Sequence, residues 1–437
     1  MRLDILSLII FIVVIILAFL RKSNVGVIAL AVGVIAVRLF GLADKNLLAG
    51  VSASMFITLF GITLLFEIIS QTGALDLLAK KIVGMAGNKL WLIPIALYVA
   101  GFVISGVGPG AVPALAIIPA LGVAVALQIG FDPIMLGLIG EAGLMAGRMT
   151  PITPEAAIIQ AAADSVGVAN AVPVVLACQT CVTIVFACIT WFAFKGHKVK
   201  APIGDIAQAK TEKFSTRQII ALCGILAMLI LIIFVKVNIG LAALFVAAVL
   251  VVFGIGDDGA CIKKLPWGTI CMVLGVGALL DVVNAVGGID LLSNGMAKIM
   301  TPATAVPIMG VSAGFLSLVS SALGVVYPTM MPMAPDIAAQ VGGNIMPQAM
   351  MAAVGAGGSL AGISPMSTGG ALILAALGTS VKDWNKEKEN KAFLQLLAYC
   401  GISLLVISSL SLTVLPPAPS KVSSFALGSC CSHSSWQ

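Results

Sequence analysis

Charge is what this sequence has least of. Only 10% of its 437 residues are Asp, Glu, Lys or Arg, whereas 60% are hydrophobic. A soluble domain of that length needs a charged, solvated surface, so a soluble globular protein is excluded. Histidine is nearly absent too, with His197 and His433 the two in the chain. That leaves no histidine cluster for a metal. With no His or paired Asp at membrane depth, an intramembrane enzyme lacks its catalytic dyad, and no enzyme is expected. Alternating strand patterns are missing, which argues against an outer-membrane barrel. The formal charge of +6 does not point to nucleic acid, because the basic residues sit in loops between apolar runs. The nine cysteines lie mostly inside those runs. Cys178 and Cys181 form a CxxC with no second pair and read as small packing residues.

What the chain has in abundance is apolar length. Runs able to span a bilayer, about 20 residues each, recur from end to end, so the fold class is an all-α polytopic membrane protein. The opening MRLDILSLII reads as a first span without the small-residue cleavage site of a signal peptide. Spans are expected at 3–20, 25–40 and 51–69, followed by an amphipathic piece at 73–83. Two apolar arms then surround a Ser/Gly/Pro tip at 105–110, a broken helix runs over 132–165, and a span covers 171–194. After a polar loop the pattern returns: spans at 218–235, 239–254 and 267–286, an amphipathic piece at 288–300, arms around 320–324, a broken helix over 342–380 and a last span at 392–415.

The densest feature is GLMAGRMTPITPE at 143–155. Pro151 and Pro154 lack amide donors and disfavour helix before them, so a helix arriving from Ile134 must unwind near Met149. Thr153-Pro154-Glu155 reads as a fresh helix start, with threonine at the cap, proline first and an acid in the first turn. Irregular backbone at membrane depth is tolerated only where protein or a water-filled cavity covers it. An ionisable residue there, Arg148, marks a functional site.

The chain is an internal duplication. Gly61/Gly275, Glu67/Asp281, Gly73/Gly287 and Asp76/Asp290 match at a separation of 214. With one inserted residue, Ser105/Ser320, Pro113/Pro328, Gly147/Gly362 and Thr153/Thr368 match at 215, which sets Ile363 opposite Arg148. The expected organisation is a first repeat at 1–194, a linker loop at 195–217, a second repeat at 218–415 and a disordered tail at 416–437. If each two-arm segment enters and leaves on one side, each repeat crosses five times and the two are inverted. With the N-terminus outside, Arg2, Arg38, Lys45, Lys236, Lys298 and Lys421 fall outside and Arg148 in the membrane, while the rest of the 24 Lys and Arg lie inside. That bias predicts both termini outside a cytoplasmic membrane and the central loop in the cytoplasm. Inverted repeats with discontinuous helices point to a secondary transporter whose site lies near the midplane.

The tips ISGVGPGAVPALAIIP and SSALGVVYPTMMP, with the breaks GRMTPITPEAA and GSLAGISPMSTGGA, resemble the ion transporter superfamily. Within it the chain is most similar to the malonate/dicarboxylate carrier group, related to the divalent anion/sodium symporters. The resemblance covers 3–415. It implies a homodimeric elevator-type carrier with two inverted five-span repeats, each with a hairpin and a discontinuous helix. The symporters carry Ser-Asn-Thr at each hairpin tip, whereas this chain has Ser105-Gly106-Val107 and Ser320-Ser321-Ala322. The asparagine contacts and side-chain sodium ligands are therefore not carried over.

Expected substrate-binding residues are Arg148, Ser105, Gly106, Thr150, Thr153, Ser320, Ser321, Ser367 and Thr368. Expected ion-coupling positions are Glu141, Gly108, Gly324 and Ser364, with Na+ at the hairpin tips or H+ as the coupling ion and no other cofactor or metal. Three readings of Arg148 stay open: a substrate carboxylate, an ion pair with Glu141 about 10 Å along the same helix, or snorkelling. Glu141 is read as a proton-coupling or a helix-pairing group, and Glu155 as a partner of its helix dipole. Met330, Met331 and Met333 are read as packing. The expected function is ion-coupled transport of a small organic anion such as malonate or a C4-dicarboxylate. A cation/proton antiporter using Glu141 and Glu155 is the alternative.

Overall fold

The computed structural model describes residues 2–21, 23–86, 89–199 and 212–413. The central part of the linker, 200–211, and the tail predicted to be disordered lie outside the described residues. Among the described residues all regular structure is helical.

The first half runs α1 (Leu3–Arg21), α2 (Val25–Leu39), α3 (Asp44–Ala49), α4 (Ala53–Gln71), α5 (Ala74–Gly84), α6 (Leu92–Gly106), α7 (Ala111–Ile129), α8 (Pro133–Gly147), α9 (Pro154–Asp164) and α10 (Ala171–Ala193). The second half runs α11 (Thr216–Ile233), α12 (Ile239–Val252), α13 (Asp258–Lys264), α14 (Trp267–Ala285), α15 (Gly288–Ala297), α16 (Ala305–Val319), α17 (Tyr327–Met330), α18 (Ala334–Val341), α19 (Pro347–Leu360), α20 (Thr368–Ser380) and α21 (Lys386–Thr413). Seven helical stretches of the described residues are long and apolar enough to cross a bilayer. The short helices α3 and α13 carry no signal that the sequence reading used. The second hairpin also differs from the expected pair of plain arms. Pro328, Pro332 and Pro335 divide its return arm into a π-turn (Ala322–Val326) and the short α17 and α18, since each proline withholds a backbone donor.

The scaffold shows the duplication in atomic contacts. A Cβ on Gly26 of α2 would stand 2.1 Å from the Cys271 carbonyl in α14, and one on Gly240 of α12 would stand 2.7 Å from the Ile57 carbonyl in α4. Gly26 and Gly240 are 214 apart, as are Ile57 and Cys271. Gly61 and Gly275 complete the exchange, the first against the Gly240 carbonyl and the second against the Gly26 carbonyl. A contact between one repeat and its mate that recurs with the partners swapped is the signature of a two-fold relation. Helices approach this closely because glycine removes the side chain from the contact.

The same device holds each broken helix to its hairpin. Gly143 and Gly147 of α8 lie against the Tyr98 and Phe102 carbonyls of α6, and Gly357 of α19 lies against the Gly310 carbonyl of α16. The hairpin tips reach back to the scaffold. Gly108, at φ +136°, leaves no room for a Cβ beside the Phe66 ring of α4, and Gly324 likewise abuts the Met272 side chain of α14.

Candidate functional site

At the first break Arg148 follows α8 as its C-terminal cap, its amide bonding the Leu144 carbonyl. The chain then turns through Met149 to Ile152, and α9 starts at Pro154 with Thr153 as its cap. Thr153 Oγ1 donates to the Arg148 carbonyl at 2.6 Å and to the Thr150 carbonyl at 2.9 Å, and accepts the Ala156 amide at 3.2 Å. Those bonds satisfy backbone groups that the missing turn of helix leaves open.

The second break is built the same way. Ser367 Oγ donates to the Gly362 carbonyl and, at 2.9 Å, to the Ser364 carbonyl. The amides follow suit: Thr150 to the Gly147 carbonyl and Thr153 to the Thr150 carbonyl, against Ser364 to the Ala361 carbonyl and Ser367 to the Ser364 carbonyl. Each pair is separated by 214. The expected 215 is therefore corrected to 214 at the breaks. Ser367, not Thr368, is the counterpart of Thr153, and Gly362, not Ile363, is the counterpart of Arg148. Thr368 is exposed, while Ser367 is half-buried and Ser364 buried.

Three buried charged residues gather here. Glu141 is fully buried, Arg148 is 6% exposed and Glu155 is 2% exposed. Arg148 does not pair with Glu141. Its Nη2 lies 3.4 Å from Glu155 Oε1, because the chain unwinds after Gly147 and the first turn of α9 comes beside the guanidinium. Nη1 donates to the Met145 sulfur at 3.4 Å, and Nε has no partner. Glu155 also does more than serve its own helix: Oε1 accepts the Ala111 amide, the first of α7, at 2.8 Å. Thr150 Oγ1 donates to the Gly106 carbonyl at the end of α6. The first tip and the first break are thus fastened at both ends of the turn. Ser105 is fully buried with its hydroxyl unpartnered.

Glu141 faces the other repeat. Both its oxygens are buried without a partner, and a Cβ on Gly369, in the first turn of α20, would stand 1.5 Å from Oε1. Ser320 and Ser321 are half-buried and serve their own tip, Ser320 donating to the Leu316 carbonyl at 2.6 Å and Ser321 accepting the Gly324 amide at 3.2 Å. The structure therefore brings Arg148, Thr150, Thr153, Ser105 and Gly106 together, with Glu141 against the second break. Gly108 and Gly324 sit at the scaffold side of the tips.

Three side chains escaped the sequence reading. Tyr327 is fully buried, donates to the Gly355 carbonyl at 3.1 Å and lies within Coulombic reach of Arg148 and Glu155. Ser359 reaches the Met145 sulfur at 3.2 Å. Tyr327 looked like part of a proline-interrupted apolar run. Met145 and Ser359 could have been found, since they are 214 apart on either side of the breaks.

A cavity of about 390 Å³ opens between scaffold and broken helices, lined among others by Met55, Ile158, Ala162, Leu280, Asp281 and Pro332. The position equivalent to Asp281 is Glu67, which pairs with Lys264 at 3.7 Å. Asp281 has Gly50 opposite instead, 214 before Lys264, so among the described residues no ion pair closes this end.

The arrangement can hold an anion at a break inside a membrane protein. Among solved structures, the Alcanivorax borkumensis YdaH transporter matches with a TM-score of 0.60 at 14% identity, over 94% of this chain and 98% of that one. Neisseria gonorrhoeae MtrF, from a class of antimetabolite efflux pumps, matches with a TM-score of 0.55 at 13% identity, over 94% and 95% of the two chains. At those identities the likeness is one of fold, an all-helical membrane architecture. No curated protein matches the chain. The profile of the citrate transporter family matches residues 10–357, from within α1 to within α19, a stretch that contains both hairpins and all three buried charges. The chain is a multi-pass membrane transporter and belongs to the citrate transporter family.

Proposed function

We propose that this protein is a secondary active transporter of a small organic anion with two or three carboxylates, working by ion-coupled alternating access. Malonate and C4-dicarboxylates suit the single guanidinium, and the family's description adds citrate to the candidates. The observation that carries the reading is Arg148. It is buried at a helix break, yet its fork is only partly used, with Nε empty and Nη1 on a thioether, a weak acceptor. A carboxylate matches such a fork bidentately. Ser105, Gly106, Thr150 and Thr153 form the substrate wall of the first repeat. Ser320, Ser321, Ser367 and Thr368 form that of the second.

Coupling falls to Glu141, with Gly108, Gly324 and Ser364 around the tips and second break. A charged carboxylate buried with no hydrogen-bond donor costs far more than a neutral carboxyl. The place of Glu141 therefore suits a group that gains and loses a proton during the cycle, and Na+ at the tips is the competing assignment. The hairpins and broken helices move as an elevator against α4 and α14, in a homodimer in the cytoplasmic membrane with both termini outside.

The test is reconstitution into liposomes with labelled citrate, malonate and succinate under imposed Na+ or proton gradients. Uptake of at least one anion, raised by one gradient, is expected. No gradient-driven uptake and no counterflow of any of them rejects the reading. A second reading, a cation/proton antiporter, is favoured by the two unpartnered oxygens of Glu141. Under it Arg148→Ala would spare the cation cycle.

A further inference from the structure

The first repeat holds a carboxylate where the second holds a glycine. Glu155 and Gly369 are 214 apart and occupy the same place in the first turn of α9 and α20. The carboxylate of Glu155 rests in a built seat. Its Oε1 takes the first amide of α7 at 2.8 Å and Arg148 Nη2 at 3.4 Å. Gly110, at φ +69°, makes room for it, since a Cβ there would stand 2.1 Å from Oε2. A helix N-terminus and a guanidinium together are what a carboxylate ligand needs.

The seat is loosely filled. One oxygen of Glu155 serves two donors and the other has none, while Arg148 Nε is buried and unpartnered. An external carboxylate that used the whole fork would satisfy Arg148 better than Glu155 does. Glu155 would still keep the Ala111 amide after losing the guanidinium, so the exchange leaves it with a donor.

We propose that Glu155 is the resident anion of the empty carrier. It neutralises Arg148 when no substrate is bound and cedes Arg148 to an incoming substrate carboxylate. This rests on the reading that Arg148 receives that carboxylate. The physical need is plain: a lone guanidinium in a low-dielectric interior is strongly unfavourable. In the loaded carrier the substrate removes that cost. In the empty carrier Glu155, the carboxylate beside the guanidinium, does so, and the unloaded mobile part can recross the membrane. Net transport requires that empty return, whereas substrate exchange does not.

The experiment compares net gradient-driven uptake with counterflow in the same proteoliposomes, using whichever labelled carboxylate the wild type takes up. Glu155→Gln keeps an oxygen for the Ala111 amide but cannot neutralise Arg148. Net uptake should fall at least about tenfold while counterflow stays within about twofold. Unchanged net uptake overturns the proposal. So does loss of counterflow in a Gln variant that still elutes as a single folded species. If the Gln variant does not fold, Glu155→Asp decides, because it keeps the charge but withdraws it from Arg148. It should slow net uptake more than counterflow, and equal slowing overturns the proposal. Arg148→Ala separates the two layers. If that variant transports normally, the anion reading itself fails. If it is inactive while Glu155→Gln behaves as wild type, only the role of Glu155 fails.

Discussion

Ser359 Oγ stands 3.2 Å from Met145 Sδ, and these two residues are 214 apart, the interval between the repeats. A residue that touches its own counterpart lies on the axis relating the halves. The axis therefore passes between the two breaks. Three residues beyond Met145 is Arg148, and three beyond Ser359 is Gly362, so the frame is symmetric while its charge lies on one side. A Cβ on Gly362 would meet the Met145 methyl at 3.0 Å, so a side chain at the second break would have to displace that methyl.

Arg148 is expected to dominate anion recognition. Arg148→Ala should lower organic-anion uptake by at least about a hundredfold, the scale for removing one partner of a buried charge pair. Arg148→Lys should recover only part, because an ammonium has no planar fork. Initial rates in proteoliposomes measure both. Uptake unchanged in Arg148→Ala would move the site elsewhere.

Glu141 gives a prediction in pH. If it carries the coupling proton, wild-type uptake rises as the pH on the entry side falls, and Glu141→Gln flattens that dependence while leaving counterflow in place. Glutamine has nearly the same shape and no charge, so the fold should survive. A Gln variant with the full wild-type pH profile would assign coupling to another group.

The scaffold contacts predict equal costs at equivalent sites. Gly26→Ala and Gly240→Ala each force a methyl into a helix backbone of the other repeat. Each should destabilise the detergent-solubilised protein by about 1–3 kcal/mol, the usual cost of overpacking. Thermal unfolding of the two variants should agree. A large cost at one and none at the other would break the two-fold relation of the scaffold.

At the first tip, Gly108 answers to two constraints at once, a positive φ and the Phe66 ring. Gly108→Ala should therefore lower thermal stability. Adding Phe66→Ala relieves the overlap and leaves a backbone cost of about 1–3 kcal/mol. If the second substitution gives no recovery beyond its own effect, the ring is not what confines Gly108.

The sequence alone determined the class, the repeat and the positions of both breaks. Apolar runs of membrane length can only be spans, and proline after a glycine-rich helix end must interrupt it wherever the chain goes. Asp132-Pro133 and Thr153-Pro154 started helices as local capping rules require, with Asp132 accepting the Ile134 amide at 2.8 Å. The partner of Arg148 was decided by tertiary structure. Spacing along one helix put Glu141 about 10 Å away and left the partner of Arg148 open, but the unwound turn sets Glu155 beside the guanidinium, while Glu141 points across to Gly369. The register at the second break was likewise hidden. It shows in the hydrogen bonds of Ser364 and Ser367, which match those of Thr150 and Thr153 at an interval of 214. Local chemistry fixes where a chain bends, and packing between distant segments fixes what meets at the bend.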